Sequence, residues 1–273
     1  MVTQSNYSVL MSVYRKESPV NLDLSLESMF SQTHPTNDFV LICDGPLTDE
    51  LNTVIADYQK RFPDILKIHR FKKNMGLGVA LRQGIQNCEN ELIARMDSDD
   101  IAVNNRCERE QQEIIKGYDI VGSNIAEFID TIDNIIATRT VPENHEDIVR
   151  FVKKRNPFNH PSVMYRKSKV LEAGNYRDEY RLEDYYLWVD MISIGCKGYN
   201  IQENLVHMRS TKDMYKRRSG LSLVKSLLRL RKYMQKSGLI NVFEFISITI
   251  AQTILAVIPN ALRSVLYRKV LRN

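Results

Sequence analysis

The sequence has few of the residues that stabilise disulfide-rich or zinc-binding proteins. Its 273 residues include four cysteines, and no two of them form a Cys-x-x-Cys pair. Because structural zinc sites and disulfide frameworks are marked by closely spaced cysteines, the sequence argues against both. Residues 1–14 also lack the basic stretch and the long apolar core of a secretory signal. We therefore expect a reducing, cytosolic setting.

Glycine motifs for phosphate binding are scarce. No Gly-x-x-x-x-Gly-Lys-Ser/Thr sequence is present, which argues against an ordinary ATPase. The pair Gly76 and Gly78 lacks the third glycine of a dinucleotide-binding fingerprint, and a tight turn before a helix explains it equally well. Residues 14–17, which follow the first predicted strand, contain no glycine. A sugar-nucleotidyltransferase would normally carry a glycine-rich basic loop there, so the absence of glycine argues against that enzyme class.

Acidic residues nearly vanish from the C-terminal quarter of the chain. Residues 1–204 contain 24 basic and 31 acidic residues, a net charge of −7, whereas residues 205–273 contain 14 and 2, a net charge of +12. A chain polarised in this way suggests a tail that meets anions, either nucleic acid or an anionic membrane surface. The basic part of the tail has few interleaved aromatic residues, and the acidic remainder would repel phosphate. Both features argue against nucleic acid as a partner.

The sequence also lacks a long, purely apolar run. Residues 245–262 carry no charge, but a spanning helix needs about 20 mostly apolar residues, and this run is diluted by Ser247, Thr249, Gln252, Thr253, Pro259 and Asn260. Ahead of it, residues 212–236 are rich in basic residues, and an amphipathic helical pattern is given to them by Leu221, Val224, Leu227, Leu228 and Leu230. Three interpretations stay open: a helix in the membrane surface, a spanning helix, or a helix that packs on protein. The basic residues favour the first.

Strand-like and helix-like segments alternate four times in the first hundred residues. Short apolar runs predict strands at residues 7–14, 39–43, 65–71 and 92–97, with helices between them. This order is typical of a parallel sheet with helices on both faces, in which ligands bind at the carboxyl ends of the strands. Residues 120–136 predict further strands, with turn signals at Gly122 and at Asp133-Asn134.

The fourth predicted strand ends in three acids within four residues, Asp97, Asp99 and Asp100. Side chains alternate along a strand, so we expect Asp97 and Asp99 to point the same way. Adjacent carboxylates repel unless a cation lies between them, and Mg²⁺ or Mn²⁺ prefers such oxygen ligands. Asp44 also follows a predicted strand and can line the same crevice. The pattern predicts a site where a nucleotide diphosphate meets a metal, although a solvated acidic turn explains the triplet alone equally well.

Two later motifs contain candidate catalytic residues. His160 lies in the proline-containing segment 156–162, where it is either a substrate contact or an ordinary loop residue. Glu183 and Asp184 begin a helix-like segment that contains Trp188, the only tryptophan. One of these carboxylates could face the crevice as a general base, with Trp188 as a wall of the site. Stabilisation by the helix dipole alone also explains two acids in a first turn.

Taken together, these motifs resemble the inverting GT-A glycosyltransferases of family 2, particularly the bacterial enzymes that build O-antigens, capsules and exopolysaccharides. The resemblance implies an α/β fold: a Rossmann-like, mixed but mainly parallel sheet flanked by helices over residues 1–210, with a basic and apolar helical extension over residues 211–273. It covers about residues 7–210 and rests on six stretches: Ser12–Tyr14, Asp44-Gly45, Asn74-x-Gly76, Asp97–Asp100, Asn159–Ser162 and Glu183–Trp188.

The resemblance also implies roles for individual residues. Asp99 would bind Mn²⁺ or Mg²⁺ together with Asp97, Asp184 would be the general base beside Glu183, and Asp44 would bind the uracil of the donor. His160 and Trp188 would lie on the acceptor side. The residues implied at the donor nucleotide are Tyr14, Glu17, Asp44, Asn74, Gly76 and Asp97.

By the same resemblance, the donor is a UDP-sugar and the acceptor a glycan linked to polyprenyl diphosphate, used at the cytoplasmic face of the inner membrane by a peripheral enzyme. The sequence departs from the family at Pro46, where Ser usually follows Asp-Gly, so this loop is expected to be rearranged. It also lacks the Gln-x-x-Arg-Trp motif of processive synthases, which favours the addition of a single sugar.

Overall fold

A computed structural model describes residues 5–179, 181–210 and 221–257, with side chains in the last range for residues 225–250. The strands are β1 (Tyr7–Val13), β2 (Asp38–Cys43), β3 (Leu66–Arg70), β4 (Leu92–Asp97), β5 (Ile101–Ala102), β6 (Ile120–Phe128), β7 (Ile135–Arg139), β8 (Met164–Arg166) and β9 (Gly198–Arg209). The helices are α1 (Pro19–Phe30), α2 (Asp49–Arg61), α3 (Leu77–Asn87), α4 (Arg106–Ile115), α5 (His145–Val152), α6 (Lys167–Glu172), α7 (Glu183–Ser193), α8 (Leu221–Lys236) and α9 (Val242–Val257).

The N-terminal half of the sheet is parallel, with β1 between β2 and β4, and β3 outside β2. Along β1, Val9 and Met11 belong to one buried apolar cluster, whereas Leu10 belongs to the cluster on the other face. Both faces are therefore covered, as expected for strands that read as continuous apolar runs. The four predicted strands and the helices between them are confirmed, with ends that shift by one or two residues.

The second half of the sheet is mixed. The strand order is β3-β2-β1-β4-β8-β6-β9-β5, with β7 paired to β6. β8 is antiparallel to β4 and β6, whereas β9 is parallel to β6. The predicted turn at Asp133-Asn134 is confirmed between β6 and β7.

The prediction of a turn at Gly122 is wrong, because this residue lies inside β6. A Cβ there would lie 2.5 Å from Oδ1 of Asn200 and 3.1 Å from the Phe158 ring. The glycine therefore serves close packing between β6 and its neighbours, and its sequence signal was that of a small residue rather than of a chain reversal.

The C-terminal helices pack on α7. Leu230 and Met234 of α8 are buried with Tyr185 and Val189 of α7 in a third apolar cluster, which confirms that the predicted amphipathic pattern at residues 221–230 forms a helix. Within the described residues, no helix is both long and apolar enough to cross a lipid bilayer. The basic residues expected to support this region at 212–218 and 263–272 lie outside the described residues.

Candidate active site

The predicted acidic cluster forms where β4 ends. Asp97 is the last residue of β4 and is in register with Ser12 of β1. The side chains of Asp97, Asp99 and Asp100 each bring a carboxylate oxygen to within 4.8 Å of the others. The expectation that Asp97 and Asp99 converge is therefore met, and Asp100 joins them.

The three aspartates have different partners. Asp97 forms an ion pair with the buried guanidinium of Arg95, and its main-chain oxygen accepts a hydrogen bond from Ser25 Oγ at 2.7 Å. The buried carboxylate of Asp100 accepts a hydrogen bond from the main-chain N–H of Arg209 at 2.8 Å. Asp99 is held through its main-chain oxygen, to which Nε of Arg209 donates at 3.1 Å. Asp100 is thus fixed as part of the scaffold, whereas Asp97 and Asp99 are half-buried at the crevice.

The cluster concentrates negative charge. Burial raises the pKa of Asp99 to about 7, and repulsion from Asp97 and Glu17 adds to the effect. The pKa of Asp100 is raised well above its usual range by burial and by Asp99 and Asp97. A bound divalent cation would relieve this repulsion, and carboxylate oxygens are the ligands that Mg²⁺ and Mn²⁺ prefer. The residues present therefore fit such an ion.

Asp44 follows β2 and is held by the loop at Asn74–Gly76. Its Oδ2 accepts hydrogen bonds from Nδ2 of Asn74 at 2.9 Å and from the N–H of Gly76 at 3.0 Å, and its Oδ1 accepts one from the N–H of Met75 at 2.6 Å. Gly45 has φ +92°, and a Cβ there would lie 2.7 Å from N of Asn74. The Asp-Gly pair is explained by this close approach, since only glycine fits.

Tyr14 and Glu17 lie in the turn that follows β1. The N–H of Glu17 donates to the main-chain oxygen of Tyr14 at 3.0 Å. One carboxylate oxygen of Glu17 accepts from Ser18 N at 2.8 Å at the start of α1, and the other accepts from Ser98 Oγ at 3.2 Å. The structure thus brings Glu17 to the acidic cluster and leaves Tyr14 exposed. Their contact with a donor nucleotide stays a prediction.

The second acidic pair begins α7. Asp184 Oδ2 accepts a hydrogen bond from Nδ2 of Asn156 at 2.5 Å, and Oδ1 accepts one from the N–H of Tyr185 at 2.7 Å. Burial raises the pKa of Asp184 despite these two bonds. Burial also raises the pKa of Glu183 to about 7, with repulsion from Asp184 and a smaller contribution from Asp97. Because such an effect falls off with distance, the start of α7 lies near the cluster at the end of β4.

The glycine at position 78 contributes to this arrangement. A Cβ on Gly78 would lie 2.1 Å from the main-chain oxygen of Arg177 and 3.3 Å from Cβ of Glu183. The start of α3 therefore packs closely against the segment that leads into α7. Gly76 is the N-cap of α3 at φ +90°, so the pair combines a turn with a packing contact.

His160 packs against α7 through the ring of Trp188, with the ring centroids 6.0 Å apart. Its Nε2 is 2.9 Å from Tyr176 Oη, and burial, with the nearby charge of Arg95, holds its pKa well below the usual range. The ring is therefore neutral at physiological pH. The prediction that Trp188 walls the acceptor side is wrong, because its side chain has no exposed surface and packs edge-on against Phe158 with centroids 5.4 Å apart. Its spacing on α7 was that of a core residue.

Arg95 is a site residue that the sequence interpretation missed. It is 1% exposed, and its charge lowers the pKa of Asp99, Asp100, Glu183 and Asp184, against the larger effect of burial. In the described part of the chain, its Nε and Nη1 have no hydrogen-bond partner. An arginine inside an otherwise apolar strand, two residues before an acid, was the available signal. Asn156 was also missed, because nothing in a loop sequence connects it to Asp184.

Comparisons with known proteins identify the family of this chain. The profile described as "Glycosyl transferase family 2" matches residues 8–174. A UDP-Gal:alpha-D-GlcNAc-diphosphoundecaprenol beta-1,3-galactosyltransferase from Escherichia coli is 37% identical over 268 residues, which cover 97% of this chain and 96% of that protein. The chain belongs to glycosyl transferase family 2. The amylovoran biosynthesis glycosyltransferase AmsE from Erwinia amylovora is 36% identical over 239 residues, with 86% and 88% covered.

Solved structures confirm the fold of this glycosyltransferase. S. aureus TarS 1–349 in complex with UDP-GlcNAc has a TM-score of 0.66 at 14% identity, with 90% of this chain and 70% of that one covered. In a longer TarS structure, also with a TM-score of 0.66, this chain spans 46% of the length. The mixed sheet flanked by helices is the GT-A fold that the motifs predicted. Both the family and the enzyme class expected from the sequence are thereby confirmed.

Proposed function

We propose that this glycosyltransferase moves one hexose from a UDP-sugar to a glycan acceptor carried on a polyprenyl diphosphate, with inversion, in surface polysaccharide biosynthesis. The proposal is carried by one observation: the acids after β4 and the acids that begin α7 lie close enough for Asp97 to raise the pKa of Glu183. The name of the E. coli relative, which states UDP-Gal as donor and a diphosphoundecaprenol-linked sugar as acceptor, supports both substrate classes.

The donor end is assigned to the loops after β1 and β2. The carboxylate of Asp44 is fixed by three hydrogen bonds from residues 74–76. Oδ1 accepts one of these bonds, so it keeps the capacity to accept the N–H of a uracil ring. In this assignment Asn74 and Gly76 hold Asp44 in place. Tyr14 and Glu17 extend the donor-binding region from Asp44 toward the acidic cluster.

The metal is assigned to Asp99 and Asp97. A Mn²⁺ or Mg²⁺ ion held there would offset the charge of the departing nucleoside diphosphate. Asp100 is not assigned as a ligand, because its side chain is 1% exposed and one of its carboxylate oxygens accepts the N–H of Arg209 at the end of β9. Arg95 keeps Asp97 oriented through their ion pair, while its own buried position prevents direct contact with a substrate.

The base is assigned to Asp184. An acceptor hydroxyl is a poor nucleophile, and a carboxylate that takes its proton as the new bond forms lowers the barrier. Asn156 and the N–H of Tyr185 fix both oxygens of Asp184, so its orientation is set before the acceptor arrives. The raised pKa makes it a stronger base than an exposed aspartate. Inversion needs this single base opposite the leaving group and no enzyme nucleophile.

The membrane surface is assigned to the C-terminal helices. Four basic residues of α8 are exposed at a spacing of three or four residues, Lys225, Arg229, Lys232 and Lys236. This stripe lies opposite the buried face that contains Leu230 and Met234. On α9, the exposed residues include Phe243, Ile246 and Ile250. A basic stripe followed by an exposed apolar face fits peripheral binding to the cytoplasmic face of an anionic membrane, where the lipid-linked acceptor would be found.

The test is transfer of radiolabelled hexose from a panel of UDP-sugars to synthetic GlcNAc-diphosphate-lipid with Mn²⁺ present. We expect one UDP-hexose to support transfer and Asp184→Asn to lower kcat by about 10²- to 10⁴-fold while donor binding is kept. Glu183→Gln is the matched control for a lost charge at the same turn. Wild-type turnover by Asp184→Asn would assign the base to another group. Release of pyrophosphate from a sugar phosphate and a nucleoside triphosphate would instead favour the sugar-nucleotidyltransferase.

A further inference from the structure

Helix α8 contributes a buried arginine, Arg231, to the interior of the protein. Arg231 has no exposed surface, and its guanidinium lies 5.3 Å from the centroid of the Tyr185 ring. Its Nη1 donates a hydrogen bond to Tyr185 Oη at 3.1 Å, and its Nη2 donates one to the main-chain oxygen of Lys154 at 2.8 Å. One side chain of the C-terminal extension therefore joins α7 to the loop that follows α5.

These two contacts fall on the two segments that hold Asp184. Tyr185 is the next residue along the chain, and its N–H donates to Oδ1 of Asp184. Lys154 lies two residues before Asn156, whose Nδ2 donates to Oδ2 of Asp184. Tyr185 Oη also donates to the main-chain oxygen of Val152 at 2.6 Å, so the tyrosine and the loop are joined directly as well. Arg231 is hydrogen-bonded to both of the segments that are joined here.

The chemistry of the position favours a cross-link over simple packing. Burying a guanidinium is costly, and an apolar side chain of similar volume would often be as stable or more stable. Arginine offers instead a planar set of donors with fixed geometry, which can bind a hydroxyl and a carbonyl on different segments at once. A lysine has one ammonium group at the end of a flexible stem and cannot reproduce this geometry.

We propose that Arg231 is a positioning residue for Asp184: it fixes the separation of α7 from the loop that contains Asn156, and thereby the orientation of the base. The inference rests on the proposed function, in which Asp184 takes the acceptor proton. It also gives the C-terminal extension a part in the reaction, because the residue that sets the base is supplied by α8.

A second set of contacts keeps α8 in place without Arg231. Arg177 Nη2 lies 2.8 Å from Oδ2 of Asp190, and Tyr233 Oη donates to Oδ1 of Asp190 at 2.5 Å. Arg177 also donates to Tyr233 Oη at 2.6 Å. These bonds and the apolar contacts of Leu230 and Met234 connect α8 to α7 independently, so loss of Arg231 is not expected to detach the helix.

The experiment is a double-mutant cycle in the full chain, with Arg231→Met and Asp184→Asn made singly and together. Transfer is measured as kcat at saturating donor and acceptor, with long incubations for the slow variants, and binding of UDP and melting temperature are measured for each variant. We expect Arg231→Met to lower kcat by about 10²-fold, since a displacement of about 1 Å can have that effect, with UDP affinity unchanged within about twofold. In the Asp184→Asn background, the same change should lower the rate by less than about twofold.

Two further variants make the test decisive. Arg150→Met removes an exposed arginine of α5 that pairs with Asp147, and it should leave kcat unchanged. Arg231→Lys should give an intermediate kcat, and it takes the place of Arg231→Met in the cycle if the latter fails to bind UDP. Wild-type kcat in the Arg231 variant, or a further 10²-fold loss on top of Asp184→Asn, would overturn the positioning role. Wild-type turnover by Asp184→Asn alone would instead overturn the proposed base.

Discussion

Around the carboxyl end of β4, the carboxyl groups of Asp97, Asp99, Asp100, Glu183 and Asp184 lie within electrostatic range of the buried guanidinium of Arg95. One cation cannot neutralise this many acids, so burial and mutual repulsion raise the pKa of most of them. The fold supports this unfavourable charge because the acids lie at the end of β4 and the start of α7, and because Arg209 at the end of β9 donates hydrogen bonds to Asp99 and Asp100. This environment suits both the divalent cation and the proton acceptor that we propose.

Asp99 and Asp100 are adjacent but should respond differently to the same substitution. Asp99→Asn removes a charge at the crevice, so Mn²⁺ affinity and transfer should be lost while the melting temperature stays within a few degrees of wild type. Asp100→Asn changes a buried carboxylate that accepts the N–H of Arg209. This substitution should therefore change the melting temperature more than it changes Mn²⁺ affinity. Calorimetric titration with Mn²⁺ and UDP, together with thermal melts, separates the two. Equal Mn²⁺ affinity in Asp99→Asn and wild type would contradict the assignment.

The pH dependence of turnover should reflect the second acidic pair. The base works when it is ionised, so kcat should fall as the pH drops through the pKa of Asp184, and burial places that fall above the pH of an ordinary aspartate. Glu183→Gln removes a neighbouring negative charge, which should move the fall to lower pH. The measurement is kcat against pH at saturating donor and acceptor. A fall that does not move in Glu183→Gln would show that the two carboxyls do not interact.

At the scale of helices and strands, the sequence predicted the elements whose pattern is local. β1, β2 and β4 are apolar runs that end in polar residues. Thr48, a residue type favoured at helix starts, caps α2, because its Oγ1 accepts the N–H of Leu51 at 3.3 Å. What could not be predicted depends on contacts between distant segments. Arg231 and Tyr185 are 46 residues apart, and neither stretch of sequence indicates that the two side chains are in contact. Gly122 was misassigned for the same reason, since its requirement comes from Asn200.

Removing the C-terminal extension should destabilise the glycosyltransferase domain rather than leave it as a stable, soluble unit. From the sequence alone, a chain that ends near Gly220 is expected to be soluble and to keep donor binding. The contacts of α8 predict otherwise, because the truncation would uncover Tyr185 and Val189 and remove Arg231. We expect a lower melting temperature and a tendency to aggregate, measured by thermal melts and light scattering. A chain that ends after residue 240 keeps α8 and is the control, which should melt close to the full-length protein.

At the scale of the whole molecule, the charge is divided between a net −7 over residues 1–204 and a net +12 over residues 205–273. The acids that create the first value include the cluster at the active site, and the bases that create the second include the exposed stripe on α8. Helix α8 packs on α7, and the first residues of α7 include Asp184. The helix with the exposed Lys and Arg stripe is therefore in direct contact with the helix that contains the proposed general base. Binding a surface through α8 would therefore place the active site near that surface.

Membrane binding should have an electrostatic and an apolar component that can be separated. Each basic residue near an anionic surface contributes about 1 kcal/mol, an effect that salt screens. Changing Lys225, Arg229, Lys232 and Lys236 together to Gln should therefore remove about 4 kcal/mol of binding at low salt. Changing Phe243, Ile246 and Ile250 to Ser removes exposed apolar area and should weaken the binding that persists in high salt. Co-sedimentation with anionic and neutral vesicles at two salt concentrations measures both.

Transfer assays connect this binding to function. Both multiple variants should act normally on a short, water-soluble acceptor diphosphate, since none of the changed residues lies at the site, and should lose activity toward the same acceptor embedded in anionic vesicles. The wild-type protein should lose activity on vesicles, but not on the soluble acceptor, as salt is raised. A full-length protein that stays in solution with anionic vesicles at low salt would contradict membrane binding. The exposed residues of α9 would then be left as a surface for another protein or a second copy of the chain.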